Sequence, residues 1–417
     1  MTSSMRVRGP AARLLDTILN RASVHATTRN IFRSYSGYVM CGLKRGYDAS
    51  RLTSMMRQGL SGCEQCRPVS TSGPPARHVQ EPDRQAKTHA NPEAIIGNDL
   101  MHMFTNIKKE LQSRCELQDI AEYYFDGQGK AVRPMITVLM SRAINTHLHN
   151  EDRLFESQLE IAKIAEMIHT ASLVHDDVID ASDTRRGKPS VNSLYGQRKA
   201  VMAGDYILSV ASAMLARIRN EEVIVILSQV SVFFQCLADL VQGEFMQLGS
   251  KENENERFAH YLKKSFKKTA SLLAYSCKAV ALLSGADEDL QEVAFQYGRN
   301  VGIAFQLLDD LLDLVASSNM MGKPTVTDLK LGLATAPVLF ACEKFPELNP
   351  MIMRRFQEPG DVQKAFEFVH KSDGLEQTQF LARQHCDEAV RVISSLKPSI
   401  EQKALITLTD KVLNREK

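Results

Sequence analysis

The chain has 417 residues, 44% of them hydrophobic and 24% charged, with no tryptophan and a formal net charge of +2. That length allows a sizeable buried core, and the near-neutral balance gives no electrostatic reason to expect a nucleic acid partner. The charge is uneven: residues 1–60 carry ten Lys or Arg against Asp16 and Asp48, so the remainder is mildly acidic.

That N-terminal stretch is also rich in Ser and Thr. MRVRGPAARLLDTILNRA patterns as a basic amphipathic helix with Leu14, Leu15, Ile18 and Leu19 on one side. The composition predicts a mitochondrial transit peptide over 1–60; a secretory signal would need a continuous apolar core. Residues 61–92 are polar and rich in Pro and Ser, and read as a linker. Cys63 and Cys66 fall there, a CxxC without a second pair and hence a weak zinc signal. The other cysteines sit in apolar contexts and read as core thiols. No run of about 20 uninterrupted apolar residues is present to span a membrane.

The body, 93–417, starts at Asn91-Pro92-Glu93, which combines an N-cap, a first-turn proline and an acid. Beyond it apolar residues recur at three and four, and β-branched alternation is scarce. This predicts an all-α body of about a dozen helices. Breaks are expected at Asp126–Gly129, Gly187–Pro189, Ser250–Asn255, Gly285–Asp287, Gly322–Thr325 and Pro346–Pro350.

Gly129-Lys130-Ala131-Val132-Arg133-Pro134 places two cations three apart at a helix start, a phosphate-binding arrangement of modest specificity. Next comes HTASLVHDDVIDASDTRRG, from His169 to Gly187. Asp176 and Asp180 are four apart and share a helix face, where two bare carboxylates repel and a divalent cation relieves the repulsion. His169 and Ser172 fall on that face below Asp176, with Ala171 on its flank, and small residues there leave space. Arg185, Arg186, Lys268 with Thr269, and Lys323 add phosphate-sized cations. At 309–313 the pattern D-D-x-x-D returns in FQLLDDLLDLV. Aspartate pairs on solvated faces are common, but both copies are embedded in apolar sequence. Two such helices facing each other would flank one cavity with hard oxygen ligands suited to Mg²⁺.

In this order GKAVRP, EMIHTASLVHDDVIDASDTRRG, FKKTASL, FQLLDDLLD and GKPT resemble the trans-isoprenyl diphosphate synthases, or polyprenyl synthetases, over roughly 93–417. SKENENERFAHY and DLKLGLATAPVLFACEKF are similar to the long-chain decaprenyl or solanesyl branch, which pairs two non-identical subunits. The resemblance implies an all-helical isoprenoid synthase bundle around a central cavity. It implies about three Mg²⁺ per site, held by Asp176, Asp180 and Asp309 with Asp177, Asp310 and Asp313 supporting. Lys130, Arg133, His169 and Arg186 match the isopentenyl diphosphate site. Arg185, Lys268, Thr269, Gln306 and Lys323 match the allylic diphosphate site, and Lys268 and Gln306 join the catalytic set. Ala171 and Ser172, where short-chain relatives carry aromatics, match the positions that set chain length.

The implied reaction is repeated condensation of isopentenyl diphosphate onto farnesyl or geranylgeranyl diphosphate. The implied product is a nona- to decaprenyl diphosphate for the ubiquinone side chain, made in the mitochondrion, with peripheral membrane association. Two departures stand out. Leu331-Gly332-Leu333 replaces an acid-Gly-Lys, and the segment near Ser231–Cys236 is several residues longer than the family pattern. An inactive scaffold subunit and a terpene cyclase are the alternatives; the intact aspartates oppose the first, and the second D-D-x-x-D with GKAVRP opposes the second. An HD phosphohydrolase built on His175-Asp176 lacks evident further histidine ligands.

Overall fold

Asn91 opens the first helix. Its side chain accepts the N–H of Glu93 at 3.2 Å, Pro92 occupies the first turn, where a missing N–H costs nothing, and α1 runs over Pro92–Glu110. The structure is a computed structural model and describes residues 91–112, 117–126, 131–228, 254–318 and 326–415. All of these fall in one compact unit, His89–Lys417. The targeting segment, the linker up to residue 90, Lys130, Lys323 and Ser231–Cys236 lie outside the described residues.

The chain continues through α2 (Leu117–Glu122), α3 (Val132–His149) and α4 (Glu156–Ile179) to a small ribbon, β1 (Thr184–Arg185) and β2 (Lys188–Pro189). Then come α5 (Val191–Tyr195), α6 (Gln197–Arg217), α7 (Glu221–Ser228) and α8 (Glu254–Ser265). A π-helical turn, Phe266–Ala270, leads into α9 (Ser271–Leu283) and the 31-residue α10 (Glu288–Ser318). Six more helices follow: α11 (Thr327–Lys330), α12 (Ala336–Ala341), α13 (Leu348–Met353), α14 (Asp361–Lys371), α15 (Gly374–Ile393) and α16 (Ile400–Leu413). The all-α expectation holds, and among the described residues the ribbon is the only sheet. The expected break at Pro346–Pro350 is shorter than read, because Pro350 sits in the first turn of α13, where no donor is required.

Two packed groups place the site. The helix α10 runs against α9 and α15, and α4 runs against α3, α6 and α9. Close approach is bought with glycine: a Cβ on Gly302 of α10 would stand 2.5 Å from Cα of Ala270, at the end of the π turn. A Cβ on Gly204 of α6 would stand 2.2 Å from Nε2 of His175 on α4. At the other end of α4 the buried Gln158 amide bonds Asn145 of α3 at 2.9 Å and the Ser284 hydroxyl after α9 at 2.7 Å. This fully bonded knot fixes the base of the helix whose far end carries the first aspartates.

The helix α6 is long and apolar enough to cross a membrane by length and composition, but Ala203, Ile207, Ala211 and Met214 are buried in the bundle. Cys277, Cys342 and Cys386 are buried free thiols, as expected for core cysteines.

Candidate active site

The first aspartate motif ends α4. Asp180 is the C-cap residue, and its N–H bonds the carbonyl of Asp176 at 2.8 Å, so the four-residue spacing survives into the last turn. Asp176 is half-buried and Asp180 exposed. Burial pushes the Asp176 carboxyl above the usual range; Lys268 and Arg185 oppose that, while Asp180 and Asp177 add to it. Asp177 is fully buried and differently employed. Its Oδ1 accepts Nε and Nη2 of Arg185 at 2.8 and 2.6 Å, and its Oδ2 accepts the Tyr124 hydroxyl at 3.0 Å.

The ribbon explains how Arg185 and Arg186 part company. Arg186 and Gly187 have φ of 53° and 77°, the pair of left-handed residues that a tight two-residue hairpin turn uses. Arg185 lies in β1 and turns back to Asp177, while Arg186 occupies the tip. Lys188 fixes the ribbon to the end of α2 through the Tyr123 carbonyl at 2.9 Å and Asp126 at 2.6 Å.

The second motif lies on α10. Asp309 is exposed and pairs with Arg415, whose guanidinium lies 3.9 Å over the Phe305 ring and donates to the Phe305 carbonyl at 3.0 Å. Asp310 is buried, with Oδ2 accepting the Tyr261 hydroxyl at 2.5 Å and Oδ1 accepting Nε2 of Gln306 at 2.8 Å. Gln306 in turn accepts the Thr269 hydroxyl at 2.5 Å. Asp313 accepts the N–H of Asp328 at 3.3 Å. Burial, with the Asp310 and Asp313 charges next, pushes the Asp328 carboxyl up to about 7. The charge of Lys268, carried by the π turn, acts on both Asp176 and Asp328.

A second cationic group lies beside the first. Arg133 starts α3 and feels the charges of Glu166, Asp309 and Arg186. His169 is held well below the usual imidazole range by burial, with Arg133, Arg186 and Arg185 adding to it. Ala171 is fully buried, and Ser172 returns its hydroxyl to the His169 carbonyl at 2.8 Å.

The donor set fits Mg²⁺. Half-buried or exposed carboxylates on two walls repel one another, and burial raises the cost of that charge. Among the described residues no three His, Cys, Asp or Glu close on a single point. An ion shared between α4 and α10 would therefore keep water or phosphate oxygens in its shell, which is how Mg²⁺ prefers to bind. Asp176, Asp180, Asp309 and Asp313 are the candidate ligands; one oxygen each of Asp309 and Asp313, and both oxygens of Asp177 and of Asp310, also accept hydrogen bonds.

Four residues escaped the sequence reading. Glu166 lies one turn before His169 and is buried opposite Arg133 and Arg186, visible only as an acid inside an apolar helix. Asp328 follows the second motif by 15 positions, with no spacing signal. Tyr124 and Tyr261 are remote in sequence from the aspartates they bond. His175 engages α6, with Nε2 3.3 Å from the Val201 carbonyl and 3.5 Å from Asp205, and so serves packing, not an HD metal pair.

The polyprenyl synthetase family model matches residues 114–369. A human all trans-polyprenyl-diphosphate synthase is 54% identical over 382 residues, covering 90% of this chain and 89% of its own. The decaprenyl-diphosphate synthase subunit 1 of Schizosaccharomyces pombe is 41% identical, covering 80% of this chain and 94% of its own. The fold matches the crystal structure of a Caulobacter crescentus polyprenyl synthase complexed with calcium and isoprenyl diphosphate. That match has a TM-score of 0.67 and 29% identity, covering 80% of this chain and 99% of that one. With one aspartate motif on α4, another on α10 and a cationic group near them, the chain belongs to the polyprenyl synthetase family and is an enzyme of the all-trans polyprenyl diphosphate synthase type.

Proposed function

We propose that the protein extends farnesyl or geranylgeranyl diphosphate by repeated head-to-tail condensation with isopentenyl diphosphate, giving a nona- to decaprenyl diphosphate for the ubiquinone side chain. What carries this reading is Lys268, whose charge acts on Asp176 of α4 and on Asp328, the residue that bonds Asp313 of α10, together with the mutual influence of Arg133, His169 and Arg186. Two separate anion sites side by side are what joining two diphosphates requires.

Asp176, Asp180 and Asp309 would hold Mg²⁺, which when bound neutralises the allylic diphosphate as a leaving group. Lys268 and Arg185 meet the charge that builds on the departing oxygen as the allylic C–O bond breaks. Arg133, Arg186 and His169 hold isopentenyl diphosphate by its phosphates, so its alkene lies beside the allylic cation. The new C–C bond forms, and the released diphosphate takes the proton. Lys130 on the isopentenyl side and Lys323 on the allylic side complete the two sets by family resemblance. The growing tail descends past Ala171 and Ser172, whose small side chains leave room.

The Caulobacter crescentus structure, with calcium and isoprenyl diphosphate, supports the metal and ligand class. The subunit 1 name of the Schizosaccharomyces pombe relative supports a second, non-identical subunit. Leu194, Tyr195, Val201 and Met202, on α5 and the start of α6, are exposed and apolar, a surface suited to such a partner. Relatives from Yarrowia lipolytica and Neurospora crassa named as mitochondrial support that compartment.

The test is incubation of the protein, alone and with a second subunit, with farnesyl diphosphate, labelled isopentenyl diphosphate and Mg²⁺. The expected outcome is a long labelled chain, and no incorporation in any combination overturns the reading. Asp176→Ala and Asp309→Ala should each lower kcat by at least about 10³-fold with the fold intact; full activity in both would remove the metal clamp.

A further inference from the structure

Three contacts lead to the turn that carries Lys268, and the first begins at a tyrosine outside every motif. Tyr261 of α8 donates its hydroxyl to Oδ2 of Asp310 at 2.5 Å. The other oxygen of that carboxylate accepts Nε2 of Gln306 at 2.8 Å. A carboxylate only accepts, so the Gln306 amide must turn its NH₂ toward Asp310 and its carbonyl oxygen toward Thr269, whose hydroxyl it accepts at 2.5 Å. Thr269 is the neighbour of Lys268 within the π turn Phe266–Ala270, and Gly302 lets α10 close directly onto Ala270. A π turn is an irregular piece of helix whose shape its neighbours decide. Here the deciding contacts lie on α10, at Asp310, Gln306 and Gly302.

We propose that Tyr261 is a positioning residue for elongation: it fixes the Asp310 carboxylate, and through Gln306 and Thr269 this holds Lys268 at the place where the allylic diphosphate departs. The inference rests on the elongation reading above. It gives Asp310 the work of a hydrogen-bond anchor, with Asp309 and Asp313 facing the ligand. The Tyr261 ring also packs against Phe258, at 5.7 Å between centroids, so Tyr261→Phe removes the hydroxyl and keeps the packing. The isopentenyl side is built on α3, α4 and the ribbon, and none of these three contacts reaches it.

The experiment is a double-mutant cycle with Tyr261→Phe and Thr269→Val, made in the full chain with its partner subunit where activity needs one. Each single variant should lower kcat about tenfold while the KM for isopentenyl diphosphate stays within about twofold. The double variant should be no worse than the weaker single one, because both cut the same relay. Melting provides a readout without turnover: the rise produced by inorganic diphosphate with Mn²⁺ should shrink in Tyr261→Phe relative to wild type. Thr269→Val supplies the measurement should Tyr261→Phe fail to fold. An unchanged kcat, losses that multiply in the double variant, a loss confined to the isopentenyl diphosphate KM, or an undiminished melting rise would each overturn the proposal. If wild type itself makes no chain, the elongation reading fails, while the melting comparison still tests the relay.

Discussion

Asp177 and Asp310 hold the same place in two copies of D-D-x-x-D, yet the structure supports them differently. Asp177 meets a cation, with two bonds from Arg185 to one oxygen and the Tyr124 hydroxyl on the other. Asp310 meets neutral donors, Tyr261, Gln306 and the backbone of Ala336, and burial pushes its carboxyl up to about 6. A tyrosine serves in both. The other donor differs because α4 ends at its motif and a ribbon can fold an arginine back onto it, whereas α10 continues past its motif and offers only a residue one turn earlier. The first motif is therefore stabilised by a buried charge pair, and the second by a polar network joined to the turn that carries Lys268.

That difference predicts unequal costs. Asp177→Ala strands Arg185 and should lower stability by about 3–5 kcal/mol, as breaking a buried ion pair does. Asp310→Ala removes an acceptor from neutral donors and should cost about 1–3 kcal/mol. Denaturant unfolding of both variants measures the gap, and equal losses would break the comparison.

A smaller effect belongs to the second motif alone. Asp328 has a folded-state pKa of about 7, above its ordinary 3.8, so the folded form disfavours its charge. Its penalty is absent below about pH 4, where both states are protonated. It grows through the interval and is complete above about pH 7. Asp328→Asn should thus raise the melting temperature of metal-free protein at pH 8 and leave it unchanged near pH 4. A gain at acid pH would show that the effect is not the charge.

The smallest effect on rate concerns what lies beneath each motif. Ala171 and Ser172 precede Asp176 by five and four positions, while Ala304 and Phe305 precede Asp309 by the same steps. Phe305 lies under Arg415, whereas Ala171 is small and fully buried. Ala171→Phe should shorten the products with little loss of the first condensation, as chain-length analysis would show. Unchanged length would place the growing tail elsewhere.

Much of this was legible in the residues. Apolar periodicity marked an all-helical body, Asn91-Pro92-Glu93 marked its first helix, and two aspartate motifs in apolar surroundings marked the site. The ribbon was not legible, because T-R-R-G-K-P has neither the length nor the alternation of a strand and forms only against the end of α2. Glu166 and Asp328 were not legible as site residues either. Nothing in their local spacing separates an acid facing a guanidinium or another carboxylate from one facing water.

The sequence by itself determined what is periodic or local: the helices, the caps, the spacing of Asp176 with Asp180 and of Asp309 with Asp313, and the family they point to. Tertiary structure alone decided which donors meet each buried aspartate: Arg185 and Tyr124 at Asp177, Tyr261 and Gln306 at Asp310. Only packing brings Tyr124 and Tyr261 to carboxylates 53 and 49 positions away. Such contacts depend on how helices cross, and here on glycines small enough to let α10 close on Ala270.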